Sequence, residues 1–541
     1  MRVAEALGRA VAQLGVRDAF GLVGSGNFHL VNAMQAAGVR FVAARHETGA
    51  VTMADAYARA SGRLGICSVH QGPGVTNAMT GLTEAAKSRT PLLLLAAEAT
   101  APLSNFFLDV ERLAQATGAA HRRLGTAATA VEDLAAAADL AVGDRRTVLV
   151  SMPLEVQAAE GKPGVVAPPR MAEPEAPEDV AALARLLAAA ERPLILAGRG
   201  AVLADARQPL ETLAGQTGAL LATSAVADGF FAGNPWCLGI SGGFATPLAA
   251  ELIEASDVVV AFGASMNMWT TRRGHLIGAS AKVAQVDVDE RALGAHRPVD
   301  VAMAGDCAEV ARAVSAALDA HSSPGWRRDE VAERIRHGGW REQPFEDVSG
   351  GGRIDPRALS IALHGLLPAA RTLAVDSGHF MGWPPMYMDV PDGRAFVFTQ
   401  SFMSIGLGLA TGIGAAVARP GRLTVIALGD GGALMSLPEL ETLGRLGLDA
   451  LVVVYNDSSY AAEVHHFAPE HAAMDAVTFP DTDFAALARS VGLEATTVRS
   501  LADLEAVREW LDRGRPRPML VDAKVVPSVV AEWLEEAFRG H

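Results

Sequence analysis

Leu423-Thr424-Val425-Ile426-Ala427-Leu428 is a largely apolar run, without charge, that ends in Gly429-Asp430-Gly431-Gly432. A second run, Leu451-Val452-Val453-Val454-Tyr455, ends in Asn456-Asp457, which puts Asp457 27 positions after Asp430. Short apolar runs without polar alternation read as strands of a parallel sheet covered on both faces, and residues 438–446 between them read as a helix. Open α/β sheets bind ligands in the crevice beyond the carboxyl ends of their strands, and here two such ends carry carboxylates. Glycines let backbone N–H groups approach a diphosphate closely. Asp430 and Asp457 offer hard oxygen ligands of the kind Mg²⁺ takes. An isolated Gly-Asp-Gly is ordinarily a turn; the polar pair at a second strand end favours the ligand site.

The same alternation extends outward through the chain. Residues 40–44 (RFVAA), 65–69 (GICSV), 92–96 (LLLLA), 194–197 (LILA), 258–262 (VVVAF) and 283–288 (VAQVDV) read as strands separated by Ala- and Leu-rich helical stretches, and residues 483–490 read as a further helix. Residues 159–179 are rich in Pro and Glu, and residues 322–352 combine Ser-Pro-Gly, a charged helical piece and Ser349-Gly350-Gly351-Gly352; both read as linkers. The expectation is α/β: three doubly wound parallel-sheet domains, at 1–160, 175–330 and 350–541. A chain of 541 residues, half of them hydrophobic, supports about three cores.

The 46 basic and 61 acidic residues give a net charge of −15, with no basic stripe, so no nucleic-acid partner is expected. Cys67, Cys237 and Cys307 are far apart and form no CxxC pair, which suits a reducing compartment. The N-terminal residues 1–16 read as an amphipathic helix rather than a signal peptide, and the run 92–97 is too short to span a bilayer. A cytoplasmic protein with no membrane partner is expected.

A second candidate is Glu47. The segment RHETGAVTMADAYAR (45–59) follows an apolar strand and opens a helix with small residues Ala50, Ala54 and Ala58 on one side. Alone, a glutamate at a helix start complements the helix dipole. A third is SFMSIGLG (401–408), with Ile405 before a Gly-x-Gly.

These motifs together resemble the thiamine-diphosphate enzyme family, in its acetolactate synthase-like and benzoylformate decarboxylase-like branch. The resemblance continues through Gly72-Pro73-Gly74-Val75-Thr76-Asn77 and residues 91–96 and covers nearly the whole chain. It implies pyrimidine-binding, central and diphosphate-binding domains in that order. It implies thiamine diphosphate as cofactor, with Mg²⁺ held by Asp430, Asp457 and the backbone carbonyl of Ser459; the family has Asn where Asp457 stands. Gly429, Gly431, Gly432 and Asn456 would complete the diphosphate site. Glu47 would hydrogen-bond the aminopyrimidine and so promote proton loss from the thiazolium carbon. Ile405 would bend the cofactor into a V, and the Met403 carbonyl would accept from its amino group. A homodimer would be the smallest active unit, and a homotetramer is common.

For the reaction, the resemblance to benzoylformate decarboxylase makes Ser25 and His70 catalytic candidates. Gly24, Gly26, Asn27 and Gln71 beside them, Leu108, and His465 and His466 after the metal motif are expected to line the substrate pocket. Trp269 and Thr270 stand where that decarboxylase has a second histidine, and Leu108 stands where acetolactate synthase has a glutamine. In relatives the central domain holds FAD, ADP or nothing; Met266-Asn267-Met268-Trp269 replaces the usual flavin-contacting pattern, so neither FAD nor ADP is favoured. The expected activity is decarboxylation of a 2-oxo acid, with or without carboligation. A 2-hydroxyacyl-CoA lyase and a non-catalytic cofactor-binding homologue remain alternatives.

Overall fold

The computed structural model describes residues 1–170, 177, 179–319 and 322–534. Part of the linker read at 159–179 therefore lies outside the described residues. The charged piece of the second linker forms the helix Asp329–Arg336.

The chain builds three six-stranded sheets in which all neighbouring strands run parallel. The first contains β1 (Asp18–Gly21), β2 (Arg40–Ala43), β3 (Gly65–Val69), β4 (Leu92–Glu98), β5 (Ala120–Arg123) and β6 (Thr147–Pro153). The second contains β7 (Pro193–Ala197), β8 (Leu220–Thr223), β9 (Cys237–Ile240), β10 (Val258–Phe262), β11 (Lys282–Asp287) and β12 (Val301–Ala304). The third contains β13 (Arg371–Val375), β14 (Phe396–Phe398), β15 (Leu423–Gly429), β16 (Ala450–Asn456), β17 (Glu494–Val498) and β18 (Met519–Lys524). Inner strands such as β3, β10 and β16 are buried along their whole length, as strands covered on both faces must be.

The first and third sheets share one topology, β2-β1-β3-β4-β6-β5 and β14-β13-β15-β16-β18-β17. In each, the order reverses between the first and third strands, so ligand crevices open beyond β1/β3 and β13/β15. The central sheet, β12-β11-β10-β7-β8-β9, reverses between β7 and β10.

The outer two domains share a core. Helix Glu47–Ser61 packs against helix Gly408–Ala418 so closely that a Cβ on Gly414 would lie 2.2 Å from the Met53 carbonyl oxygen. Ala50, Ala54, Leu409, Ala410 and Ile413 belong to one buried cluster at this crossing. Among the described residues no helix is long and apolar enough to cross a membrane.

Candidate active site

The residues expected at the diphosphate and metal end come together where β15 and β16 stop. Asp430 opens the helix Asp430–Met435 and is 8% exposed. The Ser459 N–H points at its carboxyl, and the Ser459 N–H and hydroxyl also reach Asp457 Oδ1 at 3.1 and 2.9 Å. Burial pushes the Asp430 carboxyl up to about 7, and neighbouring Asp457 adds to the rise; Asp457 is itself raised to about 6 by burial. A buried and a half-buried carboxylate this close repel when both are charged, and a divalent cation between them would relieve that repulsion. Ser458, at φ 65°, turns the chain back so that Ser459 sits over the pair.

The adjacent glycines form a cradle that side chains would fill. A Cβ on Gly431 would lie 2.3 Å from the Tyr460 ring, and one on Gly432 would lie 2.3 Å from Asp376 Oδ2. Asp376, at the end of β13, was missed in the sequence although it occupies a switch-point strand end. It is fully buried, its carboxyl raised by burial to about 6, and it accepts from the N–H groups of Ser377 (2.9 Å), Gly406 (3.0 Å) and Leu407 (3.2 Å). It thereby fixes the turn after Ile405. Ile405 is half-buried, and Met403 two positions before it is exposed with φ 63°. Gln400 beside them has both amide atoms buried without a partner.

Asn456 does not face this crevice, contrary to expectation. It is fully buried, with Nδ2 donating to Asp522 Oδ1 (3.0 Å) and the Thr482 carbonyl (3.2 Å), and Oδ1 accepting from the Ser458 N–H. Its side chain shapes the turn.

The other half-site lies beyond β1 and β3. His46 caps helix Glu47–Ser61 through Nδ1, and Glu47 is 6% exposed with Oε2 accepting from Asn77 Nδ2 at 3.1 Å. A Cβ on Gly74 would lie 3.5 Å from Glu47 Oε1, so the glycine leaves that oxygen room. The Gly26 N–H donates to His70 Nδ1 (3.2 Å), so neutral His70 carries its proton on Nε2. Burial lowers the His70 pKa, against the opposing charge of Glu47. Gly24 lies against the His70 ring, where a Cβ would come within 2.7 Å. Ser25 is exposed at the loop tip, and buried Gln71 has its Oε1 without a partner.

Two pocket assignments change. Asn27 is fully buried, donating to the Leu22 carbonyl and Ser68 Oγ and accepting from the Gly24 N–H, so it braces the loop. Leu108 is half-buried against the core cluster, and the residue of that loop facing His70 is Phe106, edge-on with centroids 5.3 Å apart. Beyond the metal motif, His465 stacks on His379 at 4.4 Å while His466 lies edge-on to Phe467. His379, also missed in the sequence, accepts at Nε2 from the Ala531 N–H.

Within one chain the half-sites do not face each other. The Arg45 and His46 N–H groups at the Glu47 end of helix Glu47–Ser61 contact Glu439, whereas Arg59 near its other end reaches the Phe398 carbonyl, on the strand leading to Met403. Twelve helical residues separate Glu47 from Arg59, about 18 Å of rise. Exposed apolar side chains gather at both halves: Val23, Phe28, Phe106 and Phe107 at one, Phe402, Met403, Leu434 and Met435 at the other.

A cleft of about 1730 Å³ runs from the β7/β10 switch point to Met403. It is lined by Arg199 and Gly200 after β7, Gly263 after β10, Arg89 and Arg145 from the first domain, and Trp269, Met381 and Trp533 at its far end.

Three family models match the chain: the N-terminal thiamine pyrophosphate binding domain at residues 1–122, the central domain at 180–314 and the C-terminal thiamine pyrophosphate binding domain at 376–523. An acetolactate synthase large subunit from Parasynechococcus marenigrum is 28% identical over 96% of this chain and 87% of its own length. A sulfoacetaldehyde acetyltransferase from Rhodobacter capsulatus is 28% identical over 100% and 96%. Acetolactate synthase isozyme 2 large subunit from Escherichia coli is 28% identical over 83% and 81%. With all three domain models matched in order over three parallel α/β sheets, the chain belongs to the thiamine pyrophosphate enzyme family.

Proposed function

We propose that this protein is a thiamine-diphosphate- and Mg²⁺-dependent decarboxylase or carboligase acting on a 2-oxo acid. The observation that carries the reading is the pairing of buried Asp430 with half-buried Asp457 under Ser459, beside a glycine cradle with no room for a side chain. Asp430, Asp457 and the Ser459 carbonyl would hold the metal, with Gly429, Gly431 and Gly432 against the diphosphate. The Met403 carbonyl and Ile405 would hold and bend the cofactor, and Glu47 would hydrogen-bond its aminopyrimidine. When bound, thiamine diphosphate supplies a nucleophilic thiazolium carbon and an electron sink. The chain's own residues then manage protons and exclude water. His70, with Nδ1 accepting from Gly26, offers an Nε2–H to an oxygen gaining charge. Ser25 would bind the substrate carboxylate end, and Phe106 would shield His70 from solvent.

Because Glu47 starts the helix Glu47–Ser61 while the segment leading to Met403 is held beside Arg59 near its other end, a second copy of the chain would supply the facing half of each site, making a homodimer the smallest active unit. The apolar residues around each half-site would be covered in that arrangement. The relatives, acetolactate synthases and a sulfoacetaldehyde acetyltransferase, support transfer of a two-carbon unit to an acceptor. No tight flavin is part of the reading.

The test is CO₂ release by the purified protein with thiamine diphosphate and Mg²⁺ across a panel of 2-oxo acids, with and without aldehyde acceptors. Release from one acid is the expected result, and the acceptor's effect on product separates decarboxylase from carboligase. No release with cofactor bound would refute the reading in favour of a lyase acting on 2-hydroxyacyl thioesters.

A further inference from the structure

Two buried glutamates, one from each outer domain, reach across the domain interface in matching ways. Glu439 begins the helix Glu439–Leu446 of the third domain and is 2% exposed. Its Oε1 accepts from the N–H groups of Arg45 and His46, each at 3.0 Å, while Oε2 accepts from Thr442 Oγ1 at 2.7 Å. These two amides immediately precede Glu47. The contact is close: a Cβ on Gly49 would lie 2.5 Å from Glu439 Oε1.

Glu84, on helix Met79–Lys87 of the first domain, does the reverse. It is fully buried, and its carboxylate receives the N–H groups of Ser401 and Phe402, the latter at 2.6 Å to Oε2. These two amides precede Met403 by two and one positions. Oε1 accepts from Arg59 Nη2 (2.8 Å) and Ser88 Oγ (3.1 Å). Arg59 is in turn gripped by Asp55 and donates to the Phe398 carbonyl at 3.0 Å. Burial alone would raise the Glu84 carboxyl; the Arg59 charge and the N–H donors outweigh it and hold it below the usual range. The two glutamates occupy helices that follow the third strand of topologically identical sheets. Each accepts two consecutive N–H groups from the opposite domain, just upstream of a cofactor-contacting residue.

We propose that Glu439 and Glu84 are positioning residues, Glu439 setting the Glu47 carboxylate and Glu84 setting the Met403 carbonyl against the cofactor's aminopyrimidine. The proposal rests on the cofactor reading above, and the hydrogen-bond patterns predict different tolerances. In Glu439→Gln the amide oxygen can still accept both N–H groups, while its NH₂ meets the Thr442 hydroxyl, which can turn to accept. In Glu84→Gln either orientation of the amide sets its NH₂ against a donor, Phe402 N–H or the Arg59 guanidinium.

The readout is hydrogen–deuterium exchange at the thiazolium carbon of bound thiamine diphosphate, at saturating cofactor and Mg²⁺, alongside the affinity for inorganic diphosphate. Glu439→Ala and Glu84→Gln are expected to slow exchange about 10- to 100-fold, the cost of a misplacement near 1 Å. Glu439→Gln should stay within about threefold of wild type, and diphosphate affinity should hold within about threefold in all three. A role confined to folding would lower the melting midpoint and leave exchange at saturation unchanged. Wild-type exchange in Glu439→Ala, or equal losses in Glu439→Gln and Glu439→Ala, overturns the proposal. Should Glu84→Gln not fold, the two Glu439 variants decide it alone. A wild-type protein that binds no thiamine diphosphate overturns the cofactor reading first, and that outcome is distinct from a bound cofactor that exchanges equally in every variant.

Discussion

Adding one methyl group at Gly432 tests the diphosphate cradle directly. An ideal Cβ there lies 2.3 Å from Asp376 Oδ2 and 3.2 Å from the Gly406 nitrogen, whereas ordinary contacts begin at 3.4 Å. The first gap is more than 1 Å short, and Asp376 cannot swing away because Ser377, Gly406 and Leu407 hold its carboxylate through N–H donors at 2.9, 3.0 and 3.2 Å. Either the helix start at Asp430 moves or the Gly406 turn does. Overpacking of this kind costs about 1–3 kcal/mol. The displaced segments are the ones assigned to the cofactor, so most of that cost should appear in binding. Gly432→Ala should therefore weaken thiamine diphosphate affinity about 10- to 100-fold, at about 1.4 kcal/mol per tenfold. Tryptophan fluorescence titration at saturating Mg²⁺ measures it. The control is Gly365→Ala in helix Pro356–Leu366, where an added Cβ meets nothing within 4 Å. Affinity in Gly432→Ala within twofold of wild type would refute the cradle, as would an equal loss in the control.

Glu47→Gln is expected to lower turnover at least about 100-fold while inorganic diphosphate binds as before, because the substitution alters only the pyrimidine end; steady-state kinetics and calorimetry check both. Asp457→Asn removes a charge from the proposed metal site and should weaken Mg²⁺ binding about tenfold, or about 1.4 kcal/mol, read by titration of the diphosphate-loaded protein. His379 gives a pH signature: burial, with His465 beside it, lowers its pKa from 6.5 to about 3, so between those values the unfolded chain binds a proton that the folded chain refuses. Stability from this group is complete above pH 6.5 and is lost as the pH falls, by about 2 kcal/mol at pH 5. The drop should shrink in His379→Asn, measured by urea unfolding at pH 5 and 7.5, and an unchanged slope would refute it.

What the sequence disclosed follows from where its signals come from. Inner strands are recorded in composition because both faces are buried: β3 and β10 have the limits their apolar runs predict. Two of the outer strands escaped notice, although edge strand β2 was read. β5 carries Ala-His-Arg-Arg and β17 Glu-Ala-Thr-Thr-Val at sheet edges, where water reaches the side chains and the apolar pattern fades. The Asn-Asp pair was visible, but spacing does not show which member faces the ligand. Successive side chains at a strand end point to opposite sides, and Asn456 turns toward β18 while Asp457 turns toward Asp430.

The site's supporting residues were hidden for a different reason. Glu439 meets Arg45 across 394 positions, Glu84 meets Phe402 across 318, and His379 meets Ala531 across 152. No local motif encodes such a pairing; it exists only once three sheets have fixed the ends of their strands. Asp376 is the exception, since its place at the end of the first strand of its sheet marks it by the same topological rule that marks Asp430. The loop carrying Phe106 and Leu108 has neither strand nor helix period, so its sequence could not say which of the two faces His70 and which anchors in the core. The pocket that selects the substrate is built largely from such loops. That is why chemistry at the cofactor can be argued from motifs, while the donor acid must be found by experiment.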